Sequence, residues 1–305
     1  MVTAVKIVEV GPRDGLQNEA ASISTADKIA FVDRLSQAGY TQIEVSAFVS
    51  PRWVPQMADA ADVFAGITRQ TGTRYTALVP NLAGLARAIA AKVDEVAIFA
   101  AASETFSKRN INQTVAESLD GYRAVCDRAR EAHLPVRAYV STAFGCPFEG
   151  PIDPAAVRDV AAALINMGAY EVAVSDTIGI AHPGQVASVV DEVTKRVPLE
   201  RLALHFHDTR GTALANVLMS LQLGVATFDA SAGGLGGCPY APGATGNLAT
   251  EDLLYMLDGL GIETGIRLDQ VLAASALMEN KIGHPLASRY AAAHKATHRH
   301  HPAGY

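Results

Sequence analysis

The chain has 305 residues, 49% of them hydrophobic and 18% charged, with a formal net charge of −6 at pH 7. This composition excludes a disordered chain, and the acidic balance gives no support to nucleic-acid binding. Three widely spaced cysteines without a CxxC pair show no disulfide framework. No apolar run approaches the roughly 20 residues of a membrane span, and the first residues lack a targeting pattern. We therefore expect a cytoplasmic protein that binds neither nucleic acid nor a membrane.

Eight short segments rich in β-branched residues alternate with longer segments of helical periodicity. In chain order, we predict strands at residues 4–10, 42–48, 75–80, 95–100, 135–142, 170–175, 202–207 and 226–231. The predicted helices between them include residues 25–38, with Thr25 as the N-cap, and residues 210–223, which carry an apolar stripe.

Strands that alternate with helices form a parallel sheet, and eight such units close into a (β/α)₈ TIM barrel. A doubly wound open sheet is the alternative, but its GxGxxG turn is missing, because "GGLGGCP" has proline at the third required glycine. We therefore predict an α/β protein with a catalytic barrel over residues 1–258. Residues 259–305 are predicted to form a C-terminal helical extension that packs on or near the barrel. The His-rich tail from residue 294 is predicted to be disordered.

Polar and ionisable residues gather where the predicted strands end, which is the face where barrel enzymes of this kind carry their active sites. They belong to five strands and are Arg13 and Asp14, Glu44, Asp176, His205 and His207, and a glycine-rich loop at residues 233–247. Glu44 and Asp176 need partners if they are buried. Arg13 is the obvious partner for Glu44, and each acid could support the site or take part in its chemistry.

The segment "HFHD" is the most informative short piece of the sequence. His205 and His207 are two residues apart on one strand, so both point to the same face and can chelate a divalent cation. The alternative is one buried histidine bonded to the backbone and one surface histidine. Asp14 is the natural third ligand. It lies in a turn predicted between two glycines, Gly11 and Gly15, and it could instead serve only to stabilise that turn.

The loop "GGLGGCPYAPGATGN" is rich in glycine, which indicates unusual backbone dihedrals or the close approach of a ligand. Cys238 lies in this loop before a proline and is either reactive or an inert small hydrophobe. Asn247 ends the loop. Its amide oxygen could bind a metal, or its side chain could cap a helix that starts near Leu248.

The chain resembles the 3-hydroxy-3-methylglutaryl-CoA lyase family over almost its full length. The resemblance is carried by "VEVGPRDGLQNE", "FVSPRWVPQM", "NINQTVAES", "GCPFEG", "SDTIG", "HFHDTRGTALAN" and "GLGGCPYAPGATGNLATEDLLYML". It implies that a divalent cation, Mg²⁺ or Mn²⁺, is bound by Asp14, His205, His207 and Asn247. It also implies a set of functional polar residues, namely Arg13, Asp14, Cys238, Glu44 and Asp176. The implied partners are an acyl-CoA substrate and further copies of the chain in a dimer or larger homo-oligomer.

The implied reaction is a metal-dependent retro-Claisen cleavage that yields acetyl-CoA and acetoacetate. We expect Arg13 to stabilise the enolate and Cys238 to protonate it. Lys108, Arg109 and Arg52 are candidates for contacts with the CoA phosphates. Arg210 stands where the family usually has tyrosine, so a substrate with a different C3 substituent is an alternative.

Two further alternatives remain at this point. An aldolase or Claisen-type synthase of the same barrel group would run condensations with 2-oxo acids. A metal-binding or scaffold protein without catalysis would bind the cation without turnover, and it would leave Arg13 and Cys238 idle.

Overall fold

The computed structural model describes residues 2–237 and 246–300, with side chains to residue 297. Its centre is a closed barrel in which each strand pairs in parallel with the next and the last pairs with the first. The strands are β1 (Lys6–Glu9), β2 (Gln42–Ala47), β3 (Arg74–Leu78), β4 (Glu95–Ala101), β5 (Val136–Ser141), β6 (Glu171–Ser175), β7 (Leu202–His205) and β8 (Thr227–Ala230). The predicted (β/α)₈ barrel is therefore confirmed.

Closure of the barrel excludes the doubly wound alternative. In the seam between β1 and β8, Lys6 lies opposite Thr227 and Glu9 lies opposite Ala230. An open sheet would leave the outermost strands with one unpaired edge each, whereas here both strands have two neighbours. The strands are buried on both faces, as parallel strands covered by helices must be.

Helices surround the barrel and continue beyond its last strand. They are α1 (Thr25–Gln37), α2 (Ala60–Gly66), α3 (Leu82–Ala90), α4 (Glu104–Ile111), α5 (Val115–Glu131), α6 (Pro154–Asn166), α7 (Pro183–Thr194), α8 (Ala213–Gln222), α9 (Thr250–Gly259), α10 (Leu268–Ile282) and α11 (Arg289–His300). Within residues 2–237 and 246–300, the helices lack the combination of length and hydropathy that a membrane span requires.

Local hydrogen bonds correct two predicted helix starts. The N-cap of α1 is Ser24 rather than Thr25, because the Ser24 hydroxyl accepts the N–H of Asp27 at 3.1 Å. Helix α8 begins at Ala213, three residues later than predicted, and the Ala213 N–H donates to Asp208 Oδ1 at 3.0 Å. That carboxylate satisfies one of the free N–H groups of the first turn of α8.

The segment after the barrel packs against its first helix. Val271, Ala274 and Met278 on α10 are buried, and α10 lies against α1. The tail predicted to be disordered is helical as far as His300, and at the start of α11 the carboxylate of Asp252 accepts the N–H groups of Arg289 and Tyr290. Residues 301–305 lie outside the described part of the chain.

Candidate active site

Arg13 and Asp14 lie in a π-helical turn, Gly11–Gly15, directly after β1. The carbonyl of Val10 holds this turn, because it accepts the N–H groups of Arg13, Asp14 and Gly15 at 2.8–3.2 Å. The two glycines are needed for space. A Cβ on Gly11 would lie 2.7 Å from a carboxylate oxygen of Glu9, and one on Gly15 would lie 3.0 Å from Leu235. The turn thus brings a cation and an anion to the mouth of the barrel.

Asp14, His205 and His207 come together at this mouth. Asp14 Oδ2 lies 4.0 Å from Nε2 of His205 and 3.9 Å from Nε2 of His207. Candidate ligand atoms of the three residues all lie within 4.8 Å of one another. Both histidines are buried, with ring centroids 5.1 Å apart, so the alternative with one surface histidine is wrong. These separations are too long for direct hydrogen bonds but suit a cation bound at about 2.0–2.2 Å from each ligand.

Asn247 joins the same cluster across the barrel mouth. Its backbone forms a β-bridge with His207, and its Nδ2 donates to Asp14 Oδ2 at 2.9 Å and to the carbonyl of Leu235 at 3.1 Å. The alternative in which Asn247 caps a helix is wrong, because α9 begins at Thr250 and its N-cap is Ala249. Asn247 Oδ1 is buried without a hydrogen-bond partner among the described residues. A carboxylate, two imidazoles and this free amide oxygen fit a divalent cation.

Charge within the cluster favours cation binding. Burial alone would raise the pKa of Asp14, but Arg13 and the two histidines bring it well below its usual range. Burial and the neighbouring His205 lower the pKa of His207 to about 4. Burial also opposes protonation of His205, but its bond to Asp229 raises its pKa above the ordinary value. Asp14 is therefore ionised and His207 neutral near pH 7, which are the forms that bind metals.

Arg13 forms an ion pair with Glu44 through Nε, which confirms the predicted partnership. Its Nη1 donates to Asp14 Oδ1 at 2.7 Å. The second carboxylate oxygen of Glu44 accepts the hydroxyl of Tyr139 at 2.6 Å. Within the part of the chain that the structure describes, Nη2 of Arg13 makes no hydrogen bond. This donor of the guanidinium is therefore available to a ligand at the mouth.

Asp176 supports a loop at the edge of the mouth. Its carboxylate is buried and accepts the N–H groups of Ile180 and Ala181, both at 3.0 Å. Burial raises the pKa of Asp176 to about 6, although the backbone bonds oppose the shift. Arg210 stabilises the same loop, because its Nη1 donates to the carbonyls of Ile178 and Gly179, each at 2.9 Å.

Known proteins are similar to this chain in both sequence and fold. The family model HMGL-like matches residues 4–278. A cytoplasmic 3-hydroxy-3-methylglutaryl-CoA lyase of Rattus norvegicus is 53% identical over 270 residues, which cover 88% of this chain and 79% of the relative. This chain belongs to the hydroxymethylglutaryl-CoA lyase family. The resemblance found in the sequence is thereby confirmed, and the family consists of carbon–carbon lyases.

Solved structures of hydroxymethylglutaryl-CoA lyases superpose closely on the chain. The enzyme of Pseudomonas aeruginosa has a TM-score of 0.96 and 51% identity, and the match covers 97% of this chain and 99% of that one. The enzyme of Acinetobacter baumannii, in complex with coenzyme A and 3-methylmalate, has a TM-score of 0.91 and 40% identity, with 95% of each chain covered.

Other residues expected for this lyase family differ in how far the structure describes them. Cys238 lies outside the described residues, which end at Gly237 and resume at Gly246. The base of its loop is closed by a backbone bond of 3.0 Å from Gly246 to Gly236. Lys108 and Arg109 are exposed on α4, after β4, and Arg52 is exposed after β2. The guanidinium of Arg109 lies 4.1 Å from the ring centroid of Phe148.

Three residues at the site were missed by sequence reasoning. Asp229 Oδ2 lies 3.1 Å from His205 Nδ1, and the hydroxyl of Tyr139 donates to Glu44. Arg137 is fully buried and donates to both Asp229 and Tyr139. Their signal was present as polar residues inside the apolar strand segments "PVRAYVST" and "ATFDAS". A charge in the interior of a parallel strand must be paired, and so it indicates a network.

Proposed function

We propose that this chain cleaves 3-hydroxy-3-methylglutaryl-CoA into acetyl-CoA and acetoacetate by a metal-dependent retro-Claisen reaction. The observation that carries the proposal is the convergence of Asp14, His205, His207 and Asn247 beside Arg13 at the barrel mouth. Membership of the lyase family supports the same reaction.

In this proposal, Asp14, His205, His207 and Asn247 hold a divalent cation, Mg²⁺ or Mn²⁺. When bound, such a cation lowers the pKa of a hydroxyl that it contacts, so that a tertiary alcohol can lose its proton near neutral pH. The oxygen-rich part of the donor set suits either ion, and the imidazoles favour Mn²⁺. Asp14, which is ionised beside Arg13, takes or relays the C3 hydroxyl proton in this proposal.

Loss of that proton turns the C3 alcohol into a ketone and breaks the C2–C3 bond. The electron pair of the broken bond passes to C2 and the thioester as an enolate. Arg13, held in place by Glu44, directs its free Nη2 donor at the thioester oxygen as negative charge develops there. Cys238 then donates a proton to C2, which completes acetyl-CoA. Asp176 supports the loop beside the reacting groups.

The acyl-CoA class of substrate is supported by the coenzyme A complex of the Acinetobacter baumannii relative. We propose that Lys108 and Arg109, exposed on α4, and Arg52, exposed after β2, meet the CoA phosphates. Charge reversal at each of these positions is expected to raise KM for the acyl-CoA and leave kcat unchanged.

The decisive experiment measures acetyl-CoA release from 3-hydroxyacyl-CoA thioesters that vary in their C3 substituent, with condensation of 2-oxo acids assayed in parallel. We expect the 3-methyl substrate to have the highest kcat/KM. A higher value for another substituent would change the substrate, and condensation without cleavage would identify a synthase. Metal binding without either reaction would identify a non-catalytic protein.

Arg13→Gln tests the enolate role directly. We expect it to retain metal binding and lose about 10²–10³-fold in kcat, the usual cost of one such donor. Arg196→Gln removes an exposed arginine that pairs with Asp159 and is the matched control, expected to act as wild type. Near-normal turnover of Arg13→Gln would contradict the role.

Cys238→Ser is expected to impair the protonation step. Chelation of divalent cations is expected to abolish turnover until Mg²⁺ or Mn²⁺ is restored.

We also propose that residues 1–258 form the catalytic barrel, that residues 259–305 form an extension packed on it, and that the chain works as a cytoplasmic homo-oligomer. Exposed Leu218 on α8 and Tyr255 on α9 favour an interface between copies. The buried free thiols of Cys126 and Cys146 are compatible with a reducing compartment. Light scattering coupled to size exclusion tests the oligomer, and a monomer would contradict it.

A further inference from the structure

A single arginine occupies the centre of the barrel beneath the site. Arg137 extends from β5 and is fully buried. Its Nε donates to Glu171 Oε1 at 2.7 Å, and its Nη2 donates to Asp229 Oδ1 at 2.7 Å. Its Nη1 donates to the hydroxyl of Tyr139 at 2.8 Å and to Asp229 Oδ2 at 3.3 Å. The planar fork of one guanidinium thus fixes three partners from three strands.

One branch of this network leads from Arg137 to the proposed metal ligands. Asp229 accepts from Arg137 through both oxygens, and its Oδ2 faces Nδ1 of His205 at 3.1 Å. A carboxylate beside Nδ1 favours the tautomer with its proton on Nδ1, in which the lone pair of Nε2 faces Asp14. The rotation of Asp229 sets the orientation of the His205 ring, and Arg137 sets the rotation of Asp229. We call this chain of contacts the metal branch.

A second branch leads from Arg137 to Arg13. The hydroxyl of Tyr139 accepts from Arg137 and donates to Glu44 Oε2 at 2.6 Å. The other oxygen of Glu44 holds Nε of Arg13. The hydroxyl proton of Tyr139 has one acceptor because Arg137 occupies the other side of its oxygen, so the direction of the bond to Glu44 is fixed. We call this chain of contacts the arginine branch.

Both branches depend on the guanidinium of Arg137. Glu171 is also held by Lys6, with Nζ to Oε2 at 2.9 Å, so Asp229 is the acid that depends on Arg137 for its counter-charge. Both oxygens of Asp229 accept from Arg137, so loss of the guanidinium would remove the donors that fix the rotation of this carboxylate against His205. Loss of the guanidinium would also free the Tyr139 hydroxyl to turn away from Glu44.

We propose that Arg137 is a positioning residue that sets His205 and Arg13 together, so that metal affinity and enolate stabilisation depend on one buried guanidinium. This inference rests on the roles given to His205 and Arg13 in the proposed function. Arg137 is fully buried and acts through its neighbours.

The test compares four variants of the full-length chain. Arg137→Met removes the guanidinium and keeps an unbranched apolar stem, Asp229→Asn cuts the metal branch, and Tyr139→Phe cuts the arginine branch. Glu95→Gln is the matched control, because Glu95 is an equally buried acid inside the barrel whose hydrogen bonds come from Gln42, Thr76 and Arg74 and not from Arg137. The readouts are the Kd for Mn²⁺ by electron paramagnetic resonance without substrate, and kcat and KM for the acyl-CoA at saturating Mn²⁺.

We expect Asp229→Asn to raise the Kd for Mn²⁺ about 10–100-fold, the usual effect of removing the outer partner of a metal ligand. Tyr139→Phe is expected to keep the wild-type Kd and lower kcat about 10–100-fold through misplacement of Arg13. Arg137→Met is expected to show both effects. Glu95→Gln is expected to stay within about twofold of wild type in both quantities. A role in stability alone would move neither Kd nor kcat of a folded variant.

A folded Arg137→Met with wild-type Kd and kcat would overturn the inference. If that variant does not fold, the single-branch variants decide, because a wild-type Kd in Asp229→Asn or a wild-type kcat in Tyr139→Phe would overturn it equally. The proposed function fails separately: a wild-type chain that binds Mn²⁺ but releases no acetyl-CoA would disprove the reaction. The Mn²⁺ affinities of Arg137→Met and Asp229→Asn would still decide whether Arg137 positions His205.

Discussion

Glu9 is a buried acid that ties the first strand to the loop after the last one. Its Oε1 accepts the N–H groups of Gly11 at 2.8 Å and Ala232 at 2.9 Å, and its Oε2 accepts the Thr250 hydroxyl at 3.1 Å. Burial raises the pKa of Glu9 from 4.5 to about 7, against these bonds, and the nearby Glu251 adds to the rise. The folded chain therefore holds a proton on Glu9 over a pH range in which the unfolded chain has lost it.

This raised pKa predicts how stability depends on pH. Because folding takes up a proton on Glu9 between pH 4.5 and about 7, the contribution of Glu9 to the free energy of unfolding falls as pH rises through this window and is lowest above it. At about 1.4 kcal/mol per pKa unit, the Glu9 contribution amounts to about 3 kcal/mol.

Glu9→Gln is expected to remove this slope, because glutamine does not titrate. Urea unfolding of the metal-free chain at several pH values measures it, with the exposed Glu200→Gln as control. Parallel stability profiles for Glu9→Gln and wild type would show that Glu9 titrates normally.

Residue types at the strand ends could be predicted from the sequence, but their partners could only partly be predicted. His205 and His207 were paired by the two-residue repeat of a strand, and Arg13 and Glu44 by opposite charge. The bond between Arg137 and Asp229 joins residues 92 positions apart and depends on the diameter and register of the barrel. No local pattern contains that geometry, so the interior network could not be predicted.

Strands and helices were predicted to different precision. Each of the eight predicted strand ranges overlaps an observed strand, because β-branched runs between helical segments are a strong local signal. Helix starts were less certain. The start of α8 depends on Asp208, whose carboxylate reaches Ala213 only once the turn after β7 has formed. The turn Gly11–Gly15 was expected from its glycines, but its π-helical form was not, because it is held by the carbonyl of Val10 accepting three backbone N–H groups.

In the loop after β8, Gly236 is a position where an added side chain would directly disturb the candidate site. Its φ is +123°, and an added Cβ would lie 2.7 Å from Asn247 Nδ2 and 3.3 Å from Cα of Gly15. Gly236→Ala is therefore expected to displace the Asn247 amide from Asp14, raise the Kd for Mn²⁺ at least tenfold, and destabilise the fold by about 1–3 kcal/mol.

Gly121→Ala is the control for this substitution. Gly121 lies inside α5, and an added Cβ would meet nothing within 4 Å. We expect it to stabilise the chain by about 0.5–1 kcal/mol and to leave metal affinity unchanged. Calorimetric titration with Mn²⁺ and thermal unfolding measure both variants. Equal metal affinities would show that the loop backbone tolerates the side chain.

At the scale of the whole molecule, residues of α10 in the extension belong to the same buried hydrophobic cluster as the barrel. Helix α10 buries Val271 and Met278 against the barrel, each worth about 1.5–3 kcal/mol, and Ser275 donates its hydroxyl to the buried Glu251. A chain ended after residue 258 is expected to lose cooperative unfolding, since this loss approaches the total stability of about 5–15 kcal/mol. Circular dichroism during urea titration measures it, with a chain ended after residue 297 as control. Wild-type cooperativity in the shorter chain would show an independent barrel.

A bound cation should raise the stability of the whole chain. A ligand that binds only the folded state adds about 2.7 kcal/mol at a concentration 100 times its Kd. We expect saturating Mn²⁺ to raise the Tm by several degrees, and Asp14→Asn to abolish that increase. Scanning calorimetry with and without a chelator measures both. An equal increase in Asp14→Asn would place the stabilising cation elsewhere.

The proposed ligands also come from opposite ends of the chain. Asp14 and Asn247 are separated by 233 positions, and they meet only after β8 has closed against β1. During synthesis on the ribosome, Asp14 is made early, and most of the polypeptide is synthesised before Asn247 follows. Capture of the ion would thus be among the last events of maturation, and a nascent chain stalled before the eighth strand would be unable to sequester it.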